Sequence, residues 1–146
     1  MRRVALFVVL LAVACGPCAA LEETVEALKA RVEKASPDER IQISIRIAQE
    51  QLRAADKFYK EGQAEEARTA VDDIASYCEK ARDAAIQTKK HLKNVEIDSR
   101  KMAEKLRDIK RTVAFEDQAP IDGAVHRLED VRTSLLKEMF ASKGKK

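Results

Sequence analysis

The chain has 146 residues, with 28 Lys or Arg against 25 Asp or Glu, and a formal net charge of +3 at pH 7. A chain of this length allows one domain and leaves little room for two. Aromatic residues make up 4% and charged residues 36%. A composition rich in Ala, Glu, Lys, Leu and Arg favours helices and argues against a sandwich, a barrel or a doubly wound sheet. The sequence therefore predicts an all-α protein.

The N-terminus has the three-part layout of a secretory signal peptide. Met1–Arg3 is basic, residues 4–14 form an unbroken apolar run, and small residues follow at 18–20. The run is about half of the roughly 20 residues that a membrane-spanning helix needs. We therefore expect residues 1–20 to direct export, and we expect no transmembrane segment.

Two cleavage patterns overlap in this signal. Small residues at Cys18-Ala19-Ala20 suit a general signal peptidase, which would release a soluble periplasmic or secreted chain starting at Leu21. Residues Leu11-Ala12-Val13-Ala14-Cys15 resemble a bacterial lipobox, in which a signal of residues 1–14 is removed and Cys15 receives a lipid. The sequence leaves both outcomes open.

Cleavage after residue 20 would leave Cys78 as the one cysteine of the mature chain. An odd thiol in an exported protein indicates either an intermolecular bond or a buried, inert side chain. Because Cys78 falls on an apolar helical stripe, the sequence favours burial.

Residues 21–141 are predicted to form one helical domain, followed by a disordered basic tail at 142–146. The first helix is predicted from apolar residues at steps of four, three and four, and it should have about four turns. That stripe consists of Leu21, Val25, Leu28 and Val32.

The second helix is predicted from Pro37 to about Lys60. Ser36 and Glu39 have the spacing of a capping box, and Gly62 can supply the left-handed residue after the last turn. The helix has two apolar stripes on nearly opposite sides, so we expect it to lie between two other helices. One stripe contains Ile41, Ile45, Ala48, Leu52, Ala55 and Tyr59, and the other contains Ile43, Ile47, Ala54 and Phe58.

A heptad pattern from Ala64 to Val113 predicts the longest element. Of its fifteen positions only Thr88 and Ser99 are polar, and no Pro or Gly occurs between residues 63 and 119. A continuous helix of this span would be roughly 80 Å long. The alternative is a break near residues 94–99, where helix propensity is weaker.

Ala119-Pro120 predicts an interruption, followed by a last helix from about Pro120 to Ala141. Together the elements predict an elongated antiparallel, coiled-coil-like helical bundle of about four helices with one very long central helix. A break in the long helix would give a five-helix bundle instead.

Residues Tyr59–Ala67 resemble the turn between the two helices of a tetratricopeptide repeat. The resemblance covers nine residues and occurs once, although repeat folds need about three units to bury a core. We therefore interpret the segment as an ordinary helix-turn-helix.

Catalytic and metal-binding patterns are missing from the sequence. It has no Gly-rich phosphate loop and no Gly-x-Ser-x-Gly turn, and adjacent carboxylates such as Asp72-Asp73 diverge by about 100° on a helix. Neither His91 nor His126 has a Glu three residues before it, so the Glu-x-x-His metal motif is missing. We expect no enzyme activity, no metal and no cofactor.

Charge is segregated along the long heptad segment. Residues 63–83 carry six acids and three bases, whereas residues 89–111 carry nine bases and four acids. Such opposed halves favour self-association or binding of another helical protein. An anionic membrane surface or a cell-wall polymer is the alternative, and the lack of aromatic residues in the basic half argues against nucleic acid. The candidate interaction face is Lys89, Lys90, Lys93, Lys101, Lys105, Arg107 and Arg111.

These patterns predict an exported, non-catalytic interaction or structural protein of the bacterial cell envelope that acts through helix faces. A small envelope binding protein, or a holdase-type chaperone that uses an apolar bundle groove, is the second hypothesis. An accessible apolar groove would distinguish the second from a scaffold that buries its stripes.

Overall fold

A computed structural model describes residues 23–144, so the predicted signal, Cys15 and the last two residues lie outside the described part of the chain. The described residues form an all-helical structure without strands, in which five helices pack against each other around a core of Leu, Ile, Val and Ala. The α-helices are α1 (Val25–Val32), α2 (Pro37–Lys60), α3 (Ala64–Thr88), α4 (Leu92–Lys110) and α5 (Gln118–Lys143), with one 3-10 turn at Phe115–Asp117.

The predicted start of α2 is confirmed. The Glu39 backbone N–H donates to the Ser36 hydroxyl at 3.4 Å, and the Ser36 backbone N–H donates to the Glu39 carboxylate at 3.3 Å. This reciprocal capping box satisfies two N–H groups that have no acceptor inside the helix. Pro37 follows at the first helical position, where a missing N–H costs nothing.

The predicted end of α2 is confirmed as well. Gly62 has a φ of 74°, in the left-handed region. The Gly62 N–H donates to the Tyr59 carbonyl at 3.2 Å, and the Gln63 N–H donates to the Phe58 carbonyl at 2.8 Å. This pair of hydrogen bonds is a Schellman motif, which satisfies the last carbonyls of the helix.

The prediction of one continuous helix over residues 64–113 is wrong. The chain turns between α3 and α4, where Lys89 and His91 have φ values of 57° and 58°. Five helices therefore form, as the alternative predicted, but the break lies at residues 89–91 and not at 94–99. Folding back lets one half of the long apolar stripe bury the other half, which a straight helix in a single chain cannot do.

The interruption near Pro120 begins earlier than predicted. Helix α4 ends at Lys110, and Pro120 lies inside the first turn of α5. N–H groups in a first turn have no acceptor within the helix, so Pro is accommodated there. At the other end of α5, Ser142 and Lys143 continue the helix, although the sequence assigned them to the tail.

Helices α2 and α3 form an antiparallel hairpin. Asp38, near the start of α2, pairs with Lys90, just beyond the end of α3, at 2.6 Å. In the middle of the hairpin the Gln51 amide donates to the Asp73 carboxylate at 2.5 Å.

Helices α4 and α5 form a second antiparallel hairpin. Lys110 at the end of α4 pairs with Asp122 near the start of α5 at 2.7 Å. Glu96, near the start of α4, accepts a hydrogen bond from Arg132 at 2.7 Å. Glu96 is buried, and its pairing offsets the cost of removing a carboxylate from water.

Arg127 of α5 joins the two hairpins. Its guanidinium donates to Glu79 at 2.8 Å, to Asp72 at 2.7 Å and to the Ser76 hydroxyl at 3.0 Å, all on α3. The hydrogen bond from Arg127 lowers the pKa of Glu79, and the two carboxylates raise the pKa of Arg127.

Helix α1 covers the α2–α3 hairpin and is shorter than predicted. It has eight residues, about two turns rather than four, and begins at the cap Thr24. Leu28 and Val32 are buried. Lys29 pairs with Asp73 of α3 at 2.5 Å. Helix α1 also packs against α2, so one side of α2 is covered by α1, as its two apolar stripes predict.

Candidate interaction surface

Helices α2 and α4 lie side by side, run in the same direction and leave an open groove between them. Near their N-termini a hollow of about 440 Å³ is lined by Ile41 and Ile45 of α2 and by Val95 of α4, with polar neighbours. Near their C-termini a hollow of about 570 Å³ opens between the same helices. Its lining residues are Leu52, Arg53, Asp56, Tyr59, Lys60, Lys105, Asp108, Ile109, Thr112 and Val113. We call the two hollows together the α2–α4 groove.

The floor of the α2–α4 groove is apolar. Its apolar members on α2 belong to one stripe, from Ile41 and Ile45 in the N-terminal hollow to Leu52 and Tyr59 in the C-terminal hollow. Ala48 and Ala55 of that stripe are fully buried and line neither hollow. Leu52 and Tyr59 are only half-buried, as is Val113 beyond the end of α4. The apolar surface is therefore most accessible at the C-terminal end of the groove.

The predicted basic face does not act as one unit. Three of its members, Lys93, Lys101 and Lys105, are exposed and form no ion pair within the described residues. The other four are held by acids: Lys89 by Glu138, Lys90 by Asp38 at 2.6 Å, Arg107 by Glu129, and Arg111 by Asp108 at 3.1 Å.

The unpaired lysines border the groove on α4. Lys105 lines the C-terminal hollow, and Lys101 lies one helical turn before it. Asp98 lies three residues before Lys101 and lines the N-terminal hollow. Burial raises the pKa of Asp98, and the nearby charge of Lys101 opposes that shift. The rim on α4 thus carries two cations, Lys101 and Lys105, and two carboxylates, the partly desolvated Asp98 and Asp108, which pairs with Arg111.

A polar cluster closes the C-terminal end of the groove. The Tyr59 hydroxyl is buried and has no hydrogen-bond partner within the described residues. Burial raises the pKa of Tyr59, and the negative charge of Asp117 adds to the shift. Arg68 donates to Asp117 at 2.9 Å and to Glu65 at 2.6 Å, so the charges around the tyrosine are paired while its hydroxyl is not.

Cys78 lies between α3 and α4, and its predicted burial is confirmed. Its Sγ atom is 4.0 Å from the Met102 Sδ atom. Burial raises the pKa of the thiol to about 12, although the nearby Ser99 hydroxyl works in the opposite direction. A thiol in this environment is not accessible to a second chain while the fold is intact.

The described residues offer neither a metal site nor a membrane-spanning helix. Residues 23–144 contain no group of three or more His, Cys, Asp or Glu side chains that could hold a metal ion. None of the five helices has an apolar stretch long enough to cross a membrane. No protein-family model, no curated protein and no solved structure matches this chain.

The groove is the feature that the sequence did not locate. The apolar stripe of α2 from Ile41 to Tyr59 was visible in the pattern, but the helix opposite it was not. Because α4 reaches α2 only after the chain reverses at residues 89–91, the neighbour depends on a turn that carries no Gly or Pro signal.

Proposed function

We propose that the chain is an exported, non-catalytic interaction protein of the bacterial cell envelope, which binds an amphipathic helix of a partner protein in the α2–α4 groove. The observation that carries the proposal is the groove, with its apolar floor and charged rims. Export rests on the signal pattern of residues 1–20. We also propose that the five helices form an elongated antiparallel bundle, which leaves one long side for the partner.

The dimensions of the groove suit a helix. The α2 stripe from Ile41 to Tyr59 is about 27 Å long at 1.5 Å per residue, so it matches a partner helix of about five turns. Such a helix would place apolar side chains on the floor at steps of three and four residues, as in other helix-in-groove complexes. Leu52 and Val113 offer the partly exposed apolar surface that such anchors contact.

Charge determines which helix fits. On the α4 rim, Lys101 and Lys105 are exposed and form no ion pair within the described chain, although the charge of Asp98 lies near Lys101. On the α2 rim, Arg53 is paired with Glu50 at 2.9 Å and Lys60 with Asp56 at 2.5 Å. The partner helix should therefore carry acids along the edge that meets α4, where they would pair with the two lysines.

A small apolar ligand is the second candidate occupant. The C-terminal hollow of about 570 Å³ falls within the roughly 300–1,000 Å³ typical of small-molecule sites. The buried Tyr59 hydroxyl at its end has an unused hydrogen-bonding capacity. This chemistry corresponds to a small envelope binding protein or a holdase-type chaperone.

Two synthetic helical peptides of 18 residues test the proposal. Both carry the same Leu and Ala stripe, but one is flanked by Glu and the other by Lys. At low salt we expect the acidic peptide to bind the full chain with a Kd of about 10 µM, and the basic peptide at least about tenfold more weakly. Replacing both Lys101 and Lys105 with Glu should reverse that order, whereas Lys137→Glu on α5 is the matched control and should not.

A second pair of variants tests the floor. Leu52→Glu places a charge in the C-terminal hollow and should abolish peptide binding. Leu136→Glu, at a half-buried position on α5, should leave binding unchanged. If laurate binds and neither peptide does, the small-ligand candidate replaces the helix. If the chain instead co-sediments with anionic vesicles and Leu52→Glu has no effect, the predicted membrane surface is the partner.

A further inference from the structure

The turn between α3 and α4 is built from residues that disfavour it. Lys89 and His91 both have left-handed backbone conformations, with φ of 57° and 58°. A side chain at such a position brings its Cβ close to a backbone carbonyl, which is why Gly usually occupies it. Within residues 88–91 the one hydrogen bond runs from the Lys90 N–H to the Thr88 hydroxyl, at 3.4 Å.

The same residues suit a continuous helix. The heptad pattern passes through the turn without a change of phase, with Ala85 and Thr88 before it and Leu92 and Val95 after it at steps of three, four and three. No Gly or Pro occurs between residues 63 and 119. Straightening the turn would therefore remove two left-handed residues and extend a favourable helical sequence.

A buried contact between α3 and α4 is symmetric about the turn. Cys78 and Met102, whose sulfur atoms are 4.0 Å apart, each lie twelve residues from Lys90. In two straightened chains related by a two-fold axis at Lys90, Cys78 of one copy would meet the partner's Met102 in the same way. The closed chain and such a pair of chains would bury the same α3–α4 interface.

We propose that the chain exchanges its α4–α5 hairpin with a second copy. In the exchanged dimer, α3 and α4 join through residues 89–91 into one helix, and each copy supplies α4 and α5 to the other copy's α1, α2 and α3. The partner is thus a second copy of this chain, and the surfaces it fits are those that α4 and α5 cover in the monomer. The α2–α4 groove survives the exchange, with one wall from each copy.

The exchange keeps the buried contacts and changes the charges near the axis. The bonds from Arg127 to Glu79 and Asp72 form between copies instead of within one. Lys89 and Lys90 of the two copies come together at the crossover, and like charges repel there. Salt screens that repulsion, so the dimer fraction should rise with ionic strength.

Variants of the α3–α4 turn test the exchange, and the measured quantity is the mass of the particle in solution. The full chain, with Cys15 and Cys18 replaced by Ser, is unfolded in urea, refolded at high concentration and measured by light scattering. Lys89→Gly with His91→Gly should raise the dimer dissociation constant by at least about a thousandfold, because at four positions of the dimer Gly relaxes the closed turn and weakens the straight helix. Lys90→Gly is the matched control, since Lys90 is not left-handed, and it should have a much smaller effect.

A disulfide identifies which copy supplies α4. In the same background, Met102→Cys is refolded with oxidised glutathione, so that residues 78 and 102 can bond. On a non-reducing gel the isolated dimer should run as a covalent dimer, and the isolated monomer as a single chain. Mixing two tagged populations during refolding should give mixed dimers and provides a readout that needs no cysteine variant.

Three results would overturn the proposal. One is a chain that stays monomeric at every concentration and salt after refolding. Another is a Met102→Cys dimer in which the disulfide from Cys78 lies entirely within each chain, which indicates pairing of closed monomers. The third is a dimer whose dissociation constant responds equally to Lys90→Gly and to the double Gly variant.

Discussion

The two turns on either side of α3 both reverse the chain through left-handed residues, but the residue types differ. The α2–α3 turn places Gly62 in the left-handed region and closes with the two backbone hydrogen bonds of a Schellman motif. The α3–α4 turn places Lys89 and His91 in that region. A left-handed residue with a side chain costs roughly 1–2 kcal/mol, so the second turn is strained where the first is not.

The difference shows which forces create each turn. The α2–α3 turn is encoded locally, by a residue without a Cβ. The α3–α4 turn exists because closing it buries the α4 stripe, including Val95 and Leu106, which are 1% and 0% exposed. Burying one such side chain stabilises a fold by about 1.5–3 kcal/mol, so a few of them outweigh two strained residues.

The largest expected effect is the pH dependence of stability that Cys78 causes in the α3–α4 interface, which forms when the strained turn closes. Burial raises the pKa of Cys78 to about 12, so the folded thiol stays neutral between pH 9 and 12 while the unfolded thiol ionises. Stability is therefore present below pH 9 and lost as pH rises toward 12. Between pH 8 and 11 the protein should lose roughly 3 kcal/mol more than Cys78→Ala does, measured by urea unfolding. Parallel pH curves for the two proteins would contradict this.

Placing a side chain at the left-handed position of the α2–α3 turn, as in the α3–α4 turn, should have the next largest effect on the free energy of unfolding. Gly62→Lys adds a side chain at a φ of 74°, and no atom lies within 4 Å of the added Cβ, so the cost is conformational. We expect a loss of about 1–2 kcal/mol in the free energy of unfolding. Gly123→Ala, inside α5 and equally open, is the control and should be neutral or stabilising. Equal losses at both positions would show that backbone conformation is not the cause.

Placing Gly at a left-handed position of the α3–α4 turn, as in the α2–α3 turn, should instead increase the free energy of unfolding. Lys89→Gly relieves the left-handed residue but adds freedom to the unfolded chain, so we expect a net gain of about 0.5–1 kcal/mol. The measurement is urea unfolding at low protein concentration, where the monomer predominates. His91→Gly should behave alike and Lys90→Gly should not; a destabilised Lys89→Gly would mean that the turn is not strained.

The smallest expected effect on the free energy of unfolding comes from the ion pairs that Lys89 and Lys90 of the α3–α4 turn form with neighbouring helices. Glu138→Gln removes the acid that holds Lys89, and Asp38→Asn removes the acid that holds Lys90. Both lysines are exposed, so each change should cost only about 0.3 kcal/mol at low salt and nothing measurable at 1 M salt. A salt-independent loss above about 1 kcal/mol would show that these pairs, and not burial, keep the turn closed.

Local signals in the sequence were sufficient for part of the fold. The box at Ser36 and Glu39 and the left-handed Gly62 bounded α2 correctly, because each depends on residues close together in the chain. The apolar stripes also predicted which side chains are buried, including Cys78. Helical periodicity follows from local geometry, which is the same whether or not the helix continues.

The remainder depended on long-range packing. The pattern through residues 85–95 is consistent with a straight helix, and only the gain from pairing α3 with α4 in one chain bends it. The predicted basic face is not one surface for a related reason. Lys89, Lys90 and Arg107 form ion pairs with acids on α2 and α5, which are distant in the sequence. The groove arises from both effects, and no local pattern contains its two walls together.

The tyrosine at the end of the groove gives this protein an optical reporter of its own. The chain has no Trp and two Tyr, so its ultraviolet emission comes from Tyr59 and Tyr77. Tyr77 is buried beneath the ammonium groups of Lys29 and Lys80, at 5.9 and 5.3 Å from its ring centre, far from any ligand in the C-terminal hollow. A molecule that enters that hollow contacts Tyr59, which lines it, and should change the emission of one fluorophore against a constant internal reference, without a label.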